Sequence, residues 1–182
     1  MAFYLLLGTS IFFYVSGTTI GYIPSQGWGL PLLLYSFSHA SILHLAGNFY
    51  FFYMFRDVIR TWGSTHTLWI FVLLGAIAGV GHGVMTSLPD STLVGASGAI
   101  AGIIAAEAVY RPHVGRIVLI PFPIPVVLLP TWIFCIIFVG LDLLRVLAFE
   151  GGVGYWAHIF GALAGAAIAV IDLYFFGVGY ED

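Results

Sequence analysis

The chain has 182 residues, of which 61% are hydrophobic and only 7% charged, with a formal net charge of −3 and no lysine. A water-soluble domain carries about 25% charged residues, so this chain lacks the polar surface for one and reads as an integral membrane protein embedded in a lipid bilayer. The missing basic patch argues against nucleic acid as a partner, and the single cysteine, Cys135, excludes an internal disulfide and any cysteine-rich zinc site.

A spanning helix needs about 20 mostly apolar residues. Hydrophobicity predicts six, over residues 2–23, 41–55, 67–85, 97–109, 126–147 and 155–176, all in one membrane domain covering 1–182. The second and fourth are short, and each is expected to extend into its flanks or to start below the membrane surface. The breaks have physical causes. Two prolines and two glycines between Ile23 and Pro31 end a helix and favour an irregular loop. Residues 88–92 form a polar turn, Pro121, Pro123 and Pro125 make an extended interfacial stretch, and Glu150 to Gly154 is a glycine-rich linker.

Arginine placement orients the bundle. Arg56 and Arg60 follow the second helix, Arg111 and Arg116 follow the fourth, and Arg145 stands alone on the other face. The positive-inside rule makes the side with four arginines cytoplasmic, and six spans then put both termini there. The first helix has neither a basic start nor a small-residue cleavage site, so it reads as a retained span. The expected fold is an all-α bundle of six transmembrane helices, and a prokaryotic plasma membrane is the expected location.

Polar residues inside such helices are costly and point to function. Three clusters stand out. In the second helix, His44 and Asn48 are four residues apart and share one face, with His39 just before them. At the start of the fourth, Gly95-Ala-Ser97-Gly98 opens an apolar helix that continues through Gly102. Ser97 there is either a helix cap or a nucleophile at a positive dipole end beside free backbone N–H groups. In the sixth, His158 precedes Gly161 and Gly165, a small-residue pattern that lets helix backbones approach closely. Gly98 and Gly102 repeat that spacing. Two glycine-faced helices in contact would bring Ser97 within reach of His158, 61 residues away. A neutral imidazole could then take the serine proton, since histidine titrates near the working pH. His44, Asn48 and the Ser97 N–H are candidate donors to the oxyanion formed on attack.

At these residues the sequence resembles the rhomboid intramembrane serine proteases. The matching pieces are His39-x4-His44-x3-Asn48, Gly95-Ala-Ser97-Gly98 and Ala157-His158-x2-Gly161-x3-Gly165, in the family's order on the second, fourth and sixth helices. Asp142 in the fifth helix and the run of prolines 121–125 are also similar to rhomboids. The resemblance implies a Ser97–His158 dyad with no third acid and an oxyanion site from His44, Asn48 and the Ser97 N–H. It further implies transmembrane segments of other membrane proteins as substrates, and no metal or cofactor. Three positions depart from the family pattern. Leu30-Pro31 stands where many relatives carry Trp-Arg, and Phe55 to Ile59 lacks the glutamate that often follows the second helix, so both places need another brace. Ala101 stands where some relatives place an aromatic ring on the histidine, so another group must orient His158.

Other protease chemistries lack their residues. There is no His-Glu-x-x-His, no lysine for a Ser-Lys pair, no Gly-x-Gly-Asp, and Ser97 is not in Gly-x-Ser-x-Gly. Two non-protease readings stay open: a rhomboid-like pseudoprotease that binds membrane helices without cutting them, and a channel or metal transporter using His39, His44, His82 and His158. His66 and His113 are expected to be solvated. Glu107 and Arg111 are expected to form a modest surface pair, and Asp142 and Asp172 to be structural hydrogen-bond acceptors.

Overall fold

The structure is a computed structural model that describes residues 1–118, 127–148 and 154–177. The proline run 121–125 and residues 150–153 of the glycine-rich linker lie outside the described residues. Eight α-helices and one two-stranded sheet are described: α1 (Ala2–Val15), α2 (Leu30–Leu34), α3 (Ile42–Met54), α4 (Val58–Trp62), α5 (Ser64–Met85), α6 (Ser97–Tyr110), β1 (Gly115–Val118), β2 (Val127–Pro130), α7 (Thr131–Ala148) and α8 (Tyr155–Phe176). Among these, α5, α7 and α8 are each long and apolar enough to cross a bilayer. The pair formed by residues 30–37 and α3, bent by 87°, makes a fourth span if counted as one. Helices α1 and α6 are apolar but shorter, at 14 residues each.

Three expectations need correction. The first helix stops at Val15 rather than reaching residue 23. Gly17 takes a left-handed φ of 69°, and the β-branched run from Thr18 to Ile20 disfavours helix after it. The chain instead runs extended to Tyr22, which pairs with Leu93 through two backbone hydrogen bonds of 2.9 and 2.8 Å. The fifth helix starts at Thr131, not 126, because residues 127–130 form β2, antiparallel to β1 with Gly115 opposite Pro130. The bundle is therefore not purely α-helical. Finally, α2 is a helical turn inside the first loop, where Pro31 in its first turn is compatible with helix.

Helix α6 is the centre of the bundle: 11 of its 14 residues are buried. Its small side chains let neighbours close in, and it packs most extensively against α8 and then α5. A Cβ on Gly98 would stand 2.7 Å from that of Ala78 on α5. Cβ atoms on Gly161 and Gly165 would collide with the backbones of Gly98 and Gly102, respectively. The two glycine seams thus meet backbone to backbone, which fixes α8 against α6 in both height and rotation.

The braces sought at the two departures from the family pattern are present in other forms. In the first loop, the Tyr35 hydroxyl donates to the Gly75 carbonyl at 2.7 Å, and Ser38 Oγ accepts from the Ile20 N–H at 2.8 Å. At the end of α3, Arg116 donates to the Met54 carbonyl and to Asp57 Oδ2, both at 2.9 Å. Arg116 also donates to Glu107 Oε1 at 2.6 Å. Glu107 is fully buried, at 0% exposure, so its pairing with Arg111 belongs to an interior charge network and not to the surface. A buried carboxylate is tolerated only when paired and hydrogen-bonded, and two guanidinium groups meet that condition here. His66 and His113 are exposed.

Candidate active site

The site is assembled at the end of α6 opposite the Glu107 network. Ser41 caps α3, its Oγ accepting from the His44 N–H at 3.1 Å. This sets the phase of a helix that carries His44 and Asn48 one turn apart. The segment leading into α6 is held at two points: by the Tyr22–Leu93 pairing and by the Gly95 N–H, which donates to the Tyr35 carbonyl at 3.1 Å. Gly95 has φ 110°, a conformation open to glycine and strained for other residues. A Cβ there would also stand 2.7 Å from His44 Nε2 and 3.4 Å from Asn48 Nδ2. The glycine therefore lets the loop backbone lie directly on the polar face of α3.

Ser97 is the first residue of α6, and Ala96 holds the cap position without any side-chain cap bond. The capping reading of Ser97 does not describe it. Its hydroxyl instead lies 2.8 Å from His158 Nε2. The glycine seams supply this meeting, since they set the first turns of α6 and α8 side by side. At the start of α6 the first backbone N–H groups have no intrahelical acceptor, so the dipole end faces the same space as the serine.

A cavity of about 300 Å³ opens over the pair. It is lined by Leu43, His44, Gly47, Asn48 and Phe51 of α3, by Ser97, Ile100 and Ile104 of α6, and by Phe138 of α7 and His158 of α8. Its polar groups are the four side chains singled out from the sequence, set in otherwise apolar walls. Asn48 is buried, and its Nδ2 has no hydrogen-bond partner among the described residues. A buried donor left unsatisfied carries a cost of about 1–3 kcal/mol, and one on a cavity wall is available to an oxyanion. His39 lies outside this lining. It is buried behind His44, with ring centroids 5.1 Å apart, and its Nδ1 is 3.3 Å from the Phe37 carbonyl. His82 is buried in α5, its Nδ1 without a partner among the described residues. Among the described residues, no group of three or more His, Cys, Asp or Glu side chains is arranged to hold a metal ion.

Two groups around His158 were not assigned to the site from sequence. Asp142 of α7 places Oδ2 2.8 Å from His158 Nδ1. The Phe138 ring, one turn earlier on α7, lies 5.6 Å from the imidazole centroid. Ala101 is buried among Ala105 and Ala162, so the ring beside the histidine comes from α7 and not from α6. A lone carboxylate inside an apolar helix was the signal available for Asp142. Its partner lies on another helix, at a separation for which no spacing rule exists.

A comparison with curated proteins returns no significant match. The rhomboid domain family model matches residues 24–175, a stretch that takes in α2 through nearly all of α8 and every residue of the cavity. An apolar helical bundle with a match over most of its length identifies the chain as an integral membrane protein that belongs to the rhomboid family.

Proposed function

We propose that this protein is an intramembrane serine endopeptidase that cleaves transmembrane segments of other membrane proteins. The observation that carries the reading is the 2.8 Å contact between Ser97 Oγ and His158 Nε2 at the floor of a cavity. In this reaction Ser97 Oγ attacks the carbonyl carbon of the scissile peptide while its proton passes to His158 Nε2. The oxyanion is met by Asn48 Nδ2, by His44 and by the backbone N–H groups at the start of α6. Collapse of the intermediate breaks the C–N bond, and the leaving amine takes the proton from His158. Water then attacks the acyl-enzyme, again passing a proton to His158, and the new carboxyl leaves as Ser97 recovers its hydrogen. No metal or cofactor enters these steps.

The length of α6 supports a site below the membrane surface. Its 14 residues span about 20 Å, against a hydrocarbon core of about 30 Å. The charged end, with Glu107, Arg111 and Arg116, belongs at one interface. Ser97 at the other end then sits roughly 10 Å inside the opposite one. Six passes, with the four-arginine end and both termini on the cytoplasmic side, complete the proposed topology. Substrate would be cut toward the other side.

A serine-directed fluorophosphonate tests the reading. Wild-type protein in lipid should be labelled at Ser97, and Ser97→Ala and His158→Ala should not. Folded wild-type protein that takes no label and leaves a transmembrane substrate intact would replace this reading with that of a helix-binding protein without protease activity.

A further inference from the structure

We propose that Asp142 is a positioning residue for His158, so that Ser97 and His158 are the reactive end of a longer chain running through Asp142 to Arg145. This rests on the serine-protease reading above. Asp142 lies on α7, is 1% exposed, and has a donor at each carboxylate oxygen. Oδ2 is 2.8 Å from His158 Nδ1, and Oδ1 accepts from Arg145 at 3.1 Å.

The consequence follows from the histidine inventory. A neutral imidazole carries one N–H and one lone pair. A carboxylate only accepts, so the nitrogen facing Asp142 is the one that bears hydrogen. Nδ1–H is then fixed, and the lone pair is left on Nε2, 2.8 Å from Ser97 Oγ. That is the tautomer a proton acceptor needs. The opposite tautomer would aim an N–H at the serine and could take no proton from it. When His158 does take the proton, it becomes a cation with the carboxylate already in contact. Arg145, half exposed, gives the buried carboxylate a second charged partner, which limits the cost of holding it inside the bundle.

The same helix holds the ring a second way. Phe138 and Asp142 are four residues apart on one face of α7. One packs beside the imidazole and the other bonds its edge. Helix α7 thereby does what Ala101 on α6 is too small to do.

The test uses the full chain in lipid, labelled with ¹⁵N-histidine. The wild-type His158 ring should show hydrogen on Nδ1. Asp142→Asn should lose that preference, and kcat on a transmembrane substrate should fall on the order of 10³-fold with KM little changed. Asp142→Glu should restore part of kcat. Asp172→Asn, which removes a carboxylate paired with Trp62 and Tyr110, controls for loss of a hydrogen-bonded acid elsewhere in the bundle and should leave kcat unchanged. A folded Asp142→Asn with wild-type tautomer and kcat overturns the proposal. If that variant fails to fold, a wild-type ring protonated on Nε2 overturns it alone. Absence of Ser97 labelling in the wild type would instead remove the protease reading, and the ring spectrum would still decide the role of Asp142.

Discussion

The backbone of Gly102 occupies the space that a Cβ on Gly165 would need, and one turn earlier the backbone of Gly98 does the same to Gly161. These two contacts set the height of α8 against α6, and with it the meeting of His158 and Ser97. A side chain at either seam position must push the helices apart, since the opposing atoms are backbone and have no rotamer to change. Gly165→Leu should cost about 3 kcal/mol and abolish fluorophosphonate labelling of Ser97 even in the fraction that stays folded. Gly8→Ala, at a helical position where a Cβ would meet no neighbour within 4 Å among the described residues, should gain up to about 1 kcal/mol and leave labelling intact. Unfolding in detergent together with labelling checks both, and equal tolerance of the two substitutions would mean the seam does not position the site.

Asn48 separates activity from stability. Its Nδ2 is buried and finds no partner among the described residues, so removing it relieves an unsatisfied donor. If the group waits for an oxyanion, its loss is felt only in the transition state. Asn48→Ala should lower kcat by about 10²–10³-fold while the unfolding temperature holds or rises. The side chain borders an existing cavity, so truncation opens no new sealed void. A fall in stability without a fall in kcat would assign Asn48 to helix packing.

The polar clusters and glycine seams were legible because both follow helical spacing, and so was the break of the first loop, which proline and glycine dictate. What escaped were pairings that no helical spacing or small-residue pattern marks. The apolar run at residues 127–129 has no periodicity to tell strand from helix, and only its pairing with β1 makes it β2. Glu107 and Arg111 have the spacing of a surface pair, and nothing local announces that Arg116 folds back onto the same carboxylate. Asp142 was visible as an isolated charge in an apolar helix, but its bond to His158 arises from the docking of α7 on α8.

The interior charge network predicts a sign reversal between single and double variants. Arg116→Leu leaves Glu107 buried with, among the described residues, only the longer Arg111 contacts of 3.4 and 3.5 Å and should cost about 3–5 kcal/mol. Removing the carboxylate as well, in Arg116→Leu with Glu107→Leu, should recover most of that loss, because two apolar side chains need no partner. A double-mutant cycle read from unfolding free energies measures the coupling. Additive losses would show that the pair acts independently and that Arg116 matters only through Asp57 and Met54.

Asp57 gives the network a pH dependence with a defined sign. Partial burial alone would raise its carboxyl above the ordinary 3.8, but the Arg116 hydrogen bond and the charges of Arg116, Arg60 and Arg56 outweigh burial and hold it lower. A carboxyl depressed in the folded state stabilises the fold at pH values above its unfolded pKa. That contribution fades as pH falls through the lower folded value. Wild type should therefore unfold at a higher temperature than Asp57→Asn at neutral pH, with the gap closing only below about pH 4. Because the side chain is 28% exposed, the gap should also narrow as salt is raised at neutral pH. Unfolding temperatures of the two proteins across that range decide the matter: a gap that stays constant into strong acid would mean the asparagine disturbs packing, and the ion pair with Arg116 would not be what Asp57 contributes.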